Sequence, residues 1–241
     1  MNGTNAENKS PVNSAEMAEL QTKFRSARKA LPQQLNILKG LDLVDPVTNK
    51  CLFRAIELGR RIIVKSEELR RKTIDTLWAE CIYPTIAKVR RHKPDEDLRA
   101  AFCFFTSSMV GFLQDVAALH PELSFSVFCY CGDLSRYRAM YDGAPEYYTK
   151  VAEQRYMAAL QTHQSDSCIY NRLGVLYQKD DIYRSMLCFA QALTEENPFE
   201  GAISNIKNMD EEKVPAIAHN KLLKLTLEYA HGFLSSSQRY L

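Results

Sequence analysis

Two stretches decide the fold: AEQRYMAAL at 152–160 and SMLCFAQAL at 185–193. Ala152, Tyr156, Ala159 and Leu160 in the first correspond to Ser185, Phe189, Ala192 and Leu193 in the second, with the Ala-Leu pairs 33 residues apart. Each stretch follows a segment with a central glycine. Gly132-Asp133 precedes the first, and NRLGVLY at 171–177 precedes the second. The glycines are 42 residues apart, which fits a longer turn around 141–145 in the first unit. The period, with the L-G-x-x-Y element in the second copy, is close to that of tetratricopeptide helix hairpins. Small residues at these positions let paired helices approach closely, and Asn197-Pro198 suits a unit boundary.

Working outward, the helical period continues in both directions. Leu20, Phe24, Ala27, Leu31, Leu35 and Leu38 recur every three or four residues, with Pro32 expected to kink or split the run and Gly40 to close it. A second helix is expected from Pro46, carrying Leu52, Ile56 and Ile63. A third carries Leu69, Leu77, Trp78, Cys81, Ile82 and Val89, with a bend at Pro84. A fourth spans Asp95 to Leu119, its start favoured by Asp95, Glu96 and Asp97. Phe102, Phe104, Phe105 and Leu119 are expected in its core. A fifth runs from Glu122 to Met140. No useful stretch alternates with period two, so the chain reads as all-α, with eight to ten antiparallel helices. Residues 1–14 read as a disordered tail and 15–210 as the main domain. Residues 211–241 read as the start of a further helical hairpin region, so the chain reads as a fragment.

Composition excludes several functions. Thirty-one Lys and Arg against 29 Asp and Glu leave a formal charge of +2, too balanced for global attraction to nucleic acid or an anionic membrane. The apolar stretch 100–119 contains Thr106, Ser107, Ser108, Gln114 and Asp115 and makes a poor membrane span. Seven cysteines, at 51, 81, 103, 129, 131, 168 and 188, include no CxxC and read as reduced thiols in helix interiors. Cys129 and Cys131 with His120 would be half a metal site with no second pair, so neither a metal nor a cofactor is expected. No nucleophile elbow, zinc-protease helix or phosphate-binding glycine loop occurs, and the histidines are scattered; the chain is expected not to be an enzyme.

The informative element is GDLSRYR at 132–138. Arg136 and Tyr137 put a planar guanidinium beside a phenol, and both can donate to one phosphate. The same residues also suit an arginine paired with Asp133 and a tyrosine packed in a hairpin. A second basic element is Lys88 to Arg91; Arg90 lies seven residues after Tyr83, on nearly the same helix face. Its plainer reading is a cationic C-terminus complementing the helix dipole. Arg60, Arg61 and Lys65 read most simply as a solvated face.

GDLSRYR, AEQRYMAAL, YNRLGVL and FEGAISNIKNM, in that order, resemble the Est/Smg family of nonsense-mediated mRNA decay effectors, on its Smg-five branch, over residues 20–235. The resemblance implies a 14-3-3-like helical array continuing into tetratricopeptide-like hairpins. It also implies a groove in which Arg90, Arg136 and Tyr137 hold a phosphoserine, with Asn171, and more weakly Asn205, holding the peptide backbone. Tyr83 stands where the family has a lysine, and Pro84 follows it. A phenol carries no charge to set against a phosphate of −1.5 to −2. The implied function is a non-enzymatic adaptor bound to a Smg-seven-like partner, recognising a phosphorylated Upf-type RNA helicase and linking it to a protein phosphatase. The alternative is a structural dimerisation module with a vestigial groove. Met109, Gly111 and Phe112 are the candidate partner face, because a mid-helix glycine is justified by close approach of another helix. A cytoplasmic protein that shuttles to the nucleus is expected.

Overall fold

The computed structural model describes residues 14–37, 46–92, 95–162 and 166–209. Gly40, the N-terminal tail and the expected hairpin beyond 210 lie outside the described residues. Ten α-helices and no strand occur among the described residues. They are α1 (Ser14–Ile37), α2 (Pro46–Lys65), α3 (Glu67–Leu77), α4 (Tyr83–Val89), α5 (Glu96–Leu119), α6 (Ser124–Arg138), α7 (Pro145–Thr162), α8 (Ser167–Tyr177), α9 (Ile182–Thr194) and α10 (Gly201–Lys207). The protein is an all-α helical array. It divides into two compact units at 109/110, inside α5.

In the first unit, α1 packs on α2 and α2 on α3. Leu20, Phe24, Ala27 and Leu31 form the buried stripe of α1, and Leu52, Ile56, Ile62 and Ile63 are buried on α2. Of the two outcomes expected at Pro32, the split does not occur, and α1 runs through it. Pro32 lies on the exposed side, where water can satisfy the carbonyl left without its amide partner. Gly59 makes room for Leu77, whose Cδ1 would lie 2.7 Å from an added Cβ.

The run in which a bend is expected at Pro84 carries a π turn just before it. Trp78–Ile82 forms a π turn between α3 and α4, in which the Tyr83 amide donates to the Trp78 carbonyl five residues back. Proline supplies no amide hydrogen for the α-register bond to Glu80, and one widened turn absorbs the defect while the helix continues.

The apolar residues of α5 divide between its faces. Leu98, Phe102, Phe105, Met109, Leu113 and Val116 recur at helical spacing and are buried. Phe104 and Leu119, expected in the core, are instead 69% and 61% exposed. Phe104 lies about 200° around the helix from Phe102, and Leu119 follows the last buried residue of the stripe. By length and composition α5 could cross a membrane; its buried stripe is also what a core helix carries.

In the second unit, the repeat is realised as two hairpins, α6 with α7 and α8 with α9, and α10 packs against α9. An added Cβ on Gly132 would lie 2.4 Å from the Tyr156 ring, and one on Gly174 2.5 Å from the Phe189 ring. Each glycine is therefore the slot for the aromatic ring of the paired helix. Ala152, Tyr156 and Ala159 of α7, and Ser185, Phe189 and Ala192 of α9, are all fully buried. Asp166 and Asp181 cap α8 and α9, accepting from the amides of Ile169 and Arg184 at 3.1 and 3.0 Å.

Candidate functional site

The last two turns of α6 carry the chemistry. Asp133 is 5% exposed, and a buried carboxylate must be paired or hydrogen-bonded. It has three partners. The Tyr156 hydroxyl donates to Oδ1 at 2.8 Å, Arg136 Nη2 donates to the same oxygen at 3.1 Å, and Arg172 Nε of α8 donates to Oδ2 at 3.1 Å. Arg136 Nε also donates to the Tyr156 hydroxyl at 3.3 Å. The slot at Gly132 brings the Tyr156 ring against α6, and so its hydroxyl to Asp133.

Arg136 is further fixed by the Tyr137 ring, whose centroid lies 4.2 Å from the guanidinium carbon. Tyr137 is itself buried, at 5% exposure. Burial pushes the Tyr156 hydroxyl well above its ordinary range, and the Asp133 charge adds to this. Burial alone would make both arginines easier to deprotonate. Tyr156 and Asp133 outweigh it at Arg136, and chiefly Asp133 at Arg172, so both stay charged. The Arg136 and Arg172 side chains are 19% and 27% exposed, so the cluster is anchored inside and reaches solvent at its edge.

The expected backbone-holding asparagines come together, with Asn205 Nδ2 of α10 donating to Asn171 Oδ1 of α8 at 2.8 Å. In the first unit, Tyr83 and Arg90 both lie exposed along α4. Arg90 is at the C-cap, its amide bonded to the Ile86 carbonyl. Tyr83 packs at a tilt against Trp78, ring centroids 6.3 Å apart. On α5, Gly111 is exposed and an added Cβ would meet nothing within 4 Å. Phe112 is half-buried, whereas Met109 is 1% exposed and turns inward. Arg60 and Arg61 are exposed on α2, and Lys65 pairs with Glu16 at 2.6 Å.

The plainer reading of GDLSRYR is realised, because Arg136 pairs with Asp133 and Tyr137 is packed inside, while the Arg136 side chain keeps 19% exposure. Sequence reasoning missed Tyr156 and Arg172 as members of this cluster. Tyr156 stands where the second repeat has Phe189, and a hydroxyl added at a fully buried aromatic position signals a polar partner. Among the described residues, no group of three or more His, Cys, Asp or Glu could hold a metal ion. Cys129 and Cys131, two apart on α6, face different sides of the helix.

No protein-family model matches the chain. The chain is similar to the nonsense-mediated mRNA decay factor SMG5 of Mus musculus, at 30% identity over 111 residues. That match covers 43% of this chain and 11% of the mouse protein. It is a distant and partial relation to a factor of mRNA decay.

Proposed function

We propose that this chain is a non-enzymatic adaptor of nonsense-mediated mRNA decay, cytoplasmic with passage to the nucleus. In this reading it pairs with a Smg-seven-like partner and reads phosphoserine on the tail of an Upf-type RNA helicase. The observation that carries the reading is the state of Arg136. Its fork is fixed by Asp133, Tyr156 and Tyr137, yet the side chain remains 19% exposed. A guanidinium held in this way loses little rotamer freedom when it binds a phosphate, and charge-assisted bonds to phosphate are the strong ones. The partial likeness to SMG5 supports the pathway. Gly111, with open space around it on α5, suits close approach of a partner helix.

The test is calorimetric titration with a phosphorylated helicase-tail peptide and its unphosphorylated twin. Arg136→Gln is the suitable variant, because Arg136→Glu would set a second carboxylate beside buried Asp133. Preference for the phosphorylated peptide, lost in Arg136→Gln, supports the reading. Equal binding of the two peptides by the wild-type chain rejects it.

A second reading rests on Tyr83 and on the same inward contacts of Arg136. Asp133 and Tyr156 would hold that arginine for hairpin cohesion alone, leaving a structural dimerisation module. It requires that Arg136→Gln lower the melting temperature while leaving peptide binding unchanged.

A further inference from the structure

We infer that Arg172 is a second phosphate-binding cation of the Arg136 site, a role for which the sequence offers Tyr83 in place of lysine. The inference rests on the phosphoserine reading above and adds a residue to it. One arginine neutralises one carboxylate. Asp133 has two, one on each oxygen, both at 3.1 Å. Among the described residues, Asp133 is the carboxylate acting on both guanidinium groups. With the Tyr156 phenol neutral, the cluster carries one surplus positive charge.

A surplus charge in a largely buried cluster is unfavourable unless it reaches solvent or meets an anion. Here it reaches solvent at the two arginines. Arg172 uses Nε for Asp133, which leaves the four hydrogens on its two terminal nitrogens for another acceptor. Both guanidinium groups are held on one carboxylate, Arg136 Nη2 on Oδ1 and Arg172 Nε on Oδ2. Asn171, the preceding residue on α8, accepts from Asn205 of α10 at 2.8 Å. A phosphate dianion would turn the surplus of +1 into −1, and a third cation would balance it. The chemistry that fits is a phosphate monoester on a peptide.

The obvious variant carries a folding risk, since Arg172→Gln removes one partner of a buried carboxylate. The experiment therefore uses two backgrounds, wild type and Asp133→Asn, whose amide keeps the shape and an acceptor without the charge. Arg172→Gln and Arg172→Lys are made in each, and the phosphorylated and unphosphorylated helicase-tail peptides are titrated calorimetrically alongside a thermal melt. We expect Arg172→Gln to weaken binding of the phosphorylated peptide about tenfold or more in both backgrounds, with the twin unaffected, and Arg172→Lys to retain part of the affinity. If Arg136→Gln loses phosphate preference while Arg172→Gln keeps it, the phosphate site stands and the role of Arg172 is refuted. An Arg172→Gln effect that vanishes in the Asp133→Asn background also refutes it, because Arg172 would then act only by neutralising Asp133. A wild-type chain with no preference for phosphate overturns the parent reading and this inference together.

Discussion

Gly132 and Gly111 sit in mid-helix but have opposite surroundings. A Cβ on Gly132 would strike the Tyr156 ring, which is fully buried and has nowhere to go. Gly132→Ala is therefore expected to destabilise the protein by about 1–3 kcal/mol, in the range of overpacked cores. It should also lift the Tyr156 hydroxyl from Asp133. A Cβ on Gly111 would meet nothing. Gly111→Ala should stabilise the isolated chain by about 1 kcal/mol, the ordinary helix preference for alanine, and should weaken binding of the Smg-seven-like partner if that face docks it. Urea melts of the two variants check both signs. At this scale, the pairing of Arg136 with Asp133 was legible, because the two stand three residues apart on one helix. Tyr156 and Arg172 are 20 and 39 residues from their contacts in the cluster, and nothing local announces the pairing. Phe104 shows the converse limit, since an apolar residue in an apolar helix was expected inside and lies outside.

At the scale of the element, the hairpins were the most legible part of the molecule. The 33-residue spacing carries both the small residues and the aromatic that fills the glycine slot, and the structure puts Tyr156 and Phe189 in corresponding places. Helix starts followed side-chain chemistry, as at Asp95, which accepts from the Leu98 amide at 2.8 Å. Pro32 neither splits nor ends α1, and Pro84 yields a π turn, because burial of the flanking apolar stripe outweighs the loss of one backbone bond. The caps give a direct test. Asp181→Ala removes the acceptor for the Arg184 amide at the start of α9 and should cost about 1 kcal/mol. Asp181→Asn, which keeps an acceptor oxygen, should cost much less. Equal losses in the two variants would mean that the cap bond is not the source.

At the scale of the whole molecule, the thiols set a pH limit. Burial pushes Cys81, Cys129 and Cys131 up to about 12, from an ordinary value near 9. Below pH 9 these thiols are protonated in both the folded and the unfolded chain and make no difference to stability with pH. Between about 9 and 12 the unfolded thiols ionise while the folded ones resist, so stability falls as pH rises through that window. Denaturation midpoints measured at pH 8 and pH 10.5 should differ, the alkaline one being lower. Replacing Cys131 with alanine should reduce that difference. The division into two units at 109/110 was not legible, because it falls within a continuous helix with no change of composition to mark it.

The central claim is that a peptide phosphate seats on the Arg136 fork. Nitrogen-15 spectra of the arginine Nε–H groups, recorded while the phosphorylated helicase-tail peptide is added, test it most directly. The Arg136 signal, which starts from a bond to the Tyr156 hydroxyl, should shift and saturate with the phosphorylated peptide and stay in place with its unphosphorylated twin. An Arg136 signal that does not move, or moves equally with both peptides, would contradict the account.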